Sequence, residues 1–195
     1  MFLFKYLDLL PAIPVEFLLD PIPDFSESNI GYSDDGSGWS NNAATHNATY
    51  TRWGINQDLT QWLQAHISSD VKMSGVQIMS WDESVLPGER KVNPHCDYRK
   101  WALNYVYETG GENVATSFYC EKDQRILRDP GCRIINPSSL TALKTVVIEP
   151  NRWHIINTNV LHGVSNVETT RKAVTIGLNC DDPFSVIYPY RDSIQ

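Results

Sequence analysis

The chain has 195 residues, enough for one well-buried core and few for two, with 42% hydrophobic and 20% charged residues and a formal net charge of -7. That composition excludes intrinsic disorder, and an acidic balance with no block of Lys or Arg makes nucleic acid a minority reading. A single domain over residues 1–195, able to fold alone, is expected.

The first stretch, MFLFKYLDLLPAIPVEFLL, is apolar, but Lys5, Asp8, Pro11, Pro14 and Glu16 interrupt any secretory or membrane-spanning segment. It is expected to be folded, non-membrane sequence packed as an edge segment on the core. Pro21 to Thr51 is rich in Ser, Asn, Gly and Asp, with Gly36 and Gly38 suited to tight turns, and reads as irregular surface loop. Tyr32, Trp39 and Tyr50 within it suggest that it folds over something.

From Asn56 to Asp70 the residues Leu59, Trp62, Leu63, His66 and Ile67 recur at three and four positions, and Asp58 suits a first helical turn. The spacing predicts an amphipathic helix whose stripe, His66 included, covers a sheet. The pattern then changes to short runs rich in β-branched and aromatic residues: SGVQIMSW, WALNYVY, VATSFYC, TVVIEP, WHIINTN and KAVTIGLN. These predict an all-β sandwich, jelly roll or barrel. Glu121 to Lys144, with mixed charges and little periodicity, reads as an excursion between strands, either a lid or a plain surface loop.

Cys96, Cys120, Cys132 and Cys180 have no CxxC spacing, so free thiols in a reducing cytoplasm are expected, with a Cys120–Cys132 disulfide as the alternative for a secreted protein.

The chemistry begins at NPHCDYRKWALNYVYETGG. His95 and Asp97 are two apart, so at the start of a strand both would face one side. Alone, the pair is a weak signal and reads more readily as an Asp-capped polar turn before an edge strand. His162 at the end of a later β-type run supplies a third ligand, and two imidazoles with one carboxylate form the facial arrangement of non-haem Fe(II) oxygenases. Arg171, nine positions on, offers a planar fork matched to a carboxylate. It shares strand parity with the small residues Ala173, Thr175 and Gly177, while Lys172 aligns with Val174, Ile176 and Leu178 and must reach out at the strand's end.

This constellation resembles the 2-oxoglutarate and Fe(II)-dependent dioxygenases, the prolyl hydroxylase-like branch above all. NYVYETGGE and VVIEPNRWHIINTNVLHGV are further echoes, and the resemblance spans roughly Gly75 to Asn179. It implies a double-stranded β-helix, the cupin-like jelly roll, with a few buttressing helices. It implies His95, Asp97 and His162 as iron ligands, Arg171 as the partner of the co-substrate's distal carboxylate, and dioxygen as oxidant. In the family an aromatic hydroxyl on the following strand often reaches the co-substrate, which points to Tyr105, with Asn104 as competitor.

The activity implied is hydroxylation of a C–H bond in a peptidyl residue, an amino acid or a small metabolite, with 2-oxoglutarate converted to succinate and carbon dioxide. Specificity is then expected in Thr51 to Ile55, Ser80 to Asn93 and Glu121 to Lys144. The alternative is a non-catalytic jelly-roll binding protein, or one with a structural metal, in which Arg171 has no task. His46, His66 and His154 read as structural, Trp81, Trp101 and Trp153 as core, and Cys96 as a buried thiol turned away from the ligands.

Overall fold

In a computed structural model, the residues described are 2–18, 50–55, 57–71, 74–80, 86–97, 99–121 and 140–193. Tyr32, Trp39, His46, Trp81, Cys132 and residues 122–139 of the expected excursion lie outside them. The described strands are β1 (Phe4–Tyr6), β2 (Tyr50–Ile55), β3 (Ser74–Ser80), β4 (Val92–His95), β5 (Trp101–Glu108), β6 (Ala115–Glu121), β7 (Leu140–Val147), β8 (Arg152–Asn157), β9 (Leu161–Ser165) and β10 (Arg171–Leu178). Two α-helices accompany them, α1 (Gln57–His66) and α2 (Tyr188–Arg191).

Among the described residues all strand pairings are antiparallel, in a six-stranded sheet ordered β1-β8-β5-β10-β3-β2 and a four-stranded sheet ordered β4-β9-β6-β7. From β3 onward the chain passes back and forth between the two sheets, returning on itself so that β10 lies beside β3 and β9 beside β4. That is a double-stranded β-helix, a jelly roll with β1 and β2 added at the edges of the larger sheet.

The central strands of the larger sheet, β5, β8 and β10, are largely buried on both faces, which is why they read as nearly continuous apolar runs. On the outer face, Leu103, Tyr105, Trp153, Ile155, Val174 and Ile176 pack with Leu59 and Leu63 of α1. On the inner face, Ala102, Val106, Ile156 and Ala173 meet Phe118 of the smaller sheet. Each fully buried aliphatic side chain contributes roughly 1.5–3 kcal/mol, so the outer layer carries much of the stability.

Four expectations are corrected. Thr51 to Ile55 is not loop but part of β2, which pairs antiparallel with β3. Leu140 to Lys144 belongs to β7, which shortens the expected excursion. His66 ends α1 exposed: its Nδ1 lies 2.8 Å from the Trp62 carbonyl and its ring stacks on Trp62 at 4.7 Å, one turn back along its own helix. The H-x-D pair stands at the end of a strand, not its start: β4 closes at His95 and Asp97 lies beyond it.

Other placements agree with the reading. The N-terminal segment forms edge strand β1 against β8. Trp101 and Trp153 are core, with indole N–H groups donating to the Cys180 and Pro11 carbonyls at 3.0 and 2.8 Å. Cys96, Cys120 and Cys180 are free thiols, and Cys96 is buried against the Asn159 carbonyl at 3.4 Å. Lys172 reaches Glu108 at 3.0 Å. Among the described residues no helix is long and apolar enough to cross a membrane.

Candidate metal centre

His95 and His162 are direct cross-strand partners on β4 and β9. Residues opposite each other in an antiparallel pair project to the same face, so the register brings together two side chains far apart in sequence. Both are buried, with ring centroids 4.5 Å apart. Gly163 permits this approach: a Cβ there would stand 2.6 Å from the Val92 carbonyl oxygen, a contact that would force the two strands apart.

The two imidazoles are oriented alike. His95 Nδ1 lies 2.8 Å from the Asn93 carbonyl and His162 Nδ1 2.9 Å from the Val160 carbonyl, each two residues back along its own chain. A carbonyl only accepts, so each Nδ1 carries the proton and each Nε2 keeps its lone pair, as a metal-ligating histidine requires. Burial, then the neighbouring His95, pushes the basicity of His162 down to about 4, which keeps it neutral and able to ligate at neutral pH.

Asp97 is fixed by its backbone, whose N–H donates to the Thr158 carbonyl at 3.0 Å. Its Oδ1 is 3.3 Å from His95 Nε2. One ligand atom each from His95, Asp97 and His162 lies within 4.8 Å of the others, a group that could hold a metal ion.

Burial by itself would push the pKa of Asp97 up, but its surroundings, the charge of Arg99 first, outweigh this and hold the carboxyl well below the usual carboxylate range. Arg99 Nε donates to Asp97 Oδ2 at 2.7 Å, and its Nη1 to Thr175 Oγ1 at 3.2 Å. Sequence reasoning missed Arg99. The available signal was its spacing, two positions after Asp97 as Asp97 is two after His95.

Arg171 opens β10, and its parity places it on the inner face with Ala173 and Thr175. It is 7% exposed, no described carboxylate lies within ion-pair distance, and its Nε has no hydrogen-bond partner. Burial lowers its pKa to about 10, so the guanidinium is still a cation at neutral pH. Its approach is set by the turn before it, where the Gly110 carbonyl accepts the N–H groups of Glu168 and Thr169 at 2.7 and 2.9 Å.

Tyr105 is corrected. It pairs with Val174 on β10 and Trp153 on β8, members of the outer cluster under α1, and its ring lies 5.2 Å from that of Trp153. It therefore faces away from Arg171. The neighbouring Asn104 pairs with Thr175 and His154 and has the inner-face parity instead.

His154 is fully buried in that row, stacked on Phe4 at 5.2 Å, and burial followed by the charge of Arg171 lowers its basicity to about 3. Gln77, a second residue sequence reasoning passed over, pairs with Ala173 on the same face; its Nε2 is buried without a hydrogen-bond partner. Its signal was a lone amide in the apolar run SGVQIMSW.

No protein-family model matches this sequence, and no curated protein matches it. Among solved structures it has likeness to the vicilin from Solanum melongena, at 12% identity over 69% of this chain and 29% of that one, with a TM-score of 0.38. It has likeness to E. coli ycfD at 13% identity over 69% of this chain and 35% of that one, with a TM-score of 0.39. A third is the polyketide cyclase RemF from Streptomyces resistomycificus, at 14% identity over 69% of this chain and 75% of that one, with a TM-score of 0.31. The chain thus spans about a third of the length of the first two.

Proposed function

We propose that this protein is a non-haem Fe(II) and 2-oxoglutarate-dependent dioxygenase that hydroxylates a peptidyl residue, an amino acid or a small metabolite. The observation that carries the reading is Arg171, a buried guanidinium with no described anionic partner. An uncompensated buried charge costs several kcal/mol, so its retention is best explained by a ligand that brings the anion. In this reading one carboxylate of a dicarboxylate would meet Arg171 and its other end the metal centre.

His95, Asp97 and His162 would hold the metal, and two imidazoles with one carboxylate fit Fe(II) with coordination positions left for a co-substrate and dioxygen. Bound iron would supply the oxidising chemistry. The chain's part is placement: Nδ1–carbonyl bonds aim the two imidazoles, and Arg171 anchors the distal carboxylate.

The test is anaerobic addition of Fe(II) and 2-oxoglutarate to the purified protein, watching for the weak visible charge-transfer band of the chelated co-substrate. A band in the native protein that is lost in Asp97→Ala and His162→Ala is the expected result. Absence of the band in native protein would overturn the reading, and metal uptake without it would favour a structural-metal jelly-roll protein.

A further inference from the structure

We propose that Arg99 is a positioning residue of the metal centre, occupying one carboxylate oxygen of Asp97 so that only the other is offered to the metal. This rests on the His95–Asp97–His162 group holding a divalent cation. A carboxylate can bind such a cation through one oxygen or both, and the choice decides how many coordination positions remain open.

Here the two oxygens of Asp97 have different surroundings. Oδ1 faces His95 Nε2 at 3.3 Å, inside the ligand group, whereas Oδ2 accepts from Arg99 Nε at 2.7 Å. Turning Oδ2 toward a metal would break a charge-assisted hydrogen bond inside a protein interior, where the Asp97 side chain is 10% exposed.

Arg99 is itself held. Its Nη1 donates to Thr175 Oγ1 at 3.2 Å, so its two ends tie the loop after β4 to β10 in the opposite sheet. Its carbonyl accepts from the Thr158 hydroxyl. Its aliphatic stem crosses Gly177, where a Cβ would stand 3.0 Å from Arg99 Cδ and 3.6 Å from its Cβ. Only a guanidinium supplies donors diverging from one planar group to two such acceptors; an ammonium of similar reach is a point charge.

The test uses Co(II) titrations of the full-length protein, reading affinity and the visible d–d bands, with circular dichroism and thermal melts to verify folding. Arg99→Met retains the stem over Gly177 and removes the donors. It is expected to lower Co(II) affinity roughly ten- to a hundred-fold and to change the bands, as loss of a group supporting a metal ligand does. Arg99→Lys should recover part of the affinity but not the native bands, and Gly177→Ala, which displaces the stem, should shift both in the same direction by less.

Native affinity and bands in Arg99→Met, with Co(II) uptake lost in Asp97→Ala, would overturn the role of Arg99 and leave the metal centre standing. Native bands in Arg99→Lys would overturn the requirement for a fork. Failure of the native protein to take up Co(II) would overturn the metal centre and this role together.

Discussion

The two faces of the larger sheet are built from the same strands and do opposite work. Toward α1, β5, β8 and β10 present Leu103, Tyr105, Trp153, Ile155, Val174 and Ile176. Toward the smaller sheet the alternate positions give Asn104, His154, Arg171 and Thr175, mixed with Ala102, Val106, Ile156 and Ala173. The outer face gains stability from apolar area. The inner face buries a cation and polar atoms whose desolvation costs stability, and which make chemical sense as a binding surface.

Substitutions on the two faces should therefore separate. Leu63→Ala, beneath the outer face, is expected to cost about 2–5 kcal/mol of unfolding free energy in denaturant titrations while leaving metal affinity of the folded protein unchanged. A loss of metal affinity at equal folded fraction would break the division.

His154 sharpens it through pH. Its basicity is lowered to about 3 in the folded protein, against 6.5 ordinarily, so the unfolded chain takes up the proton first as pH falls. Its contribution to stability is complete above pH about 6.5 and is lost progressively toward 3. His154→Leu should flatten the stability profile in that window by up to about 1.4 kcal/mol per pH unit, measured by denaturant midpoints of metal-free protein. The residual acid slope should come from groups such as His162 and Asp97, whose shifts have the same sign.

The smallest effect is expected from Tyr105→Phe. With the ring retained against Trp153, stability should change by less than about 1 kcal/mol and 2-oxoglutarate affinity not at all. A tenfold loss of that affinity would place Tyr105 at the ligand after all.

The sequence carried the strand runs, helix α1 and the four polar positions His95, Asp97, His162 and Arg171, because each is marked by local periodicity or by residue type. What it concealed was pairing. The short strands β4 and β9, which bring His95 and His162 opposite each other, have too few residues to show a period. The face of Tyr105 depends on its register with Val174, and the β5–β10 pairing shifts between Lys172 and Ala173, so parity counted along one strand does not transfer to the next. Arg99 was hidden for a similar reason: its two acceptors, Asp97 and Thr175, are close only after the sheets face each other.

The most direct measurement is 2-oxoglutarate binding to Mn(II)-loaded native protein and Arg171→Leu, with the affinity for Mn(II) alone and the melting temperature of metal-free protein taken alongside. 2-Oxoglutarate affinity is expected to fall roughly ten- to a hundred-fold, in line with a lost charged hydrogen-bond pair of about 1.5–3 kcal/mol. Mn(II) affinity should be unchanged and metal-free stability equal or higher, because an unpaired buried charge has been removed. Unchanged 2-oxoglutarate affinity, or a metal-free protein markedly destabilised, would contradict it.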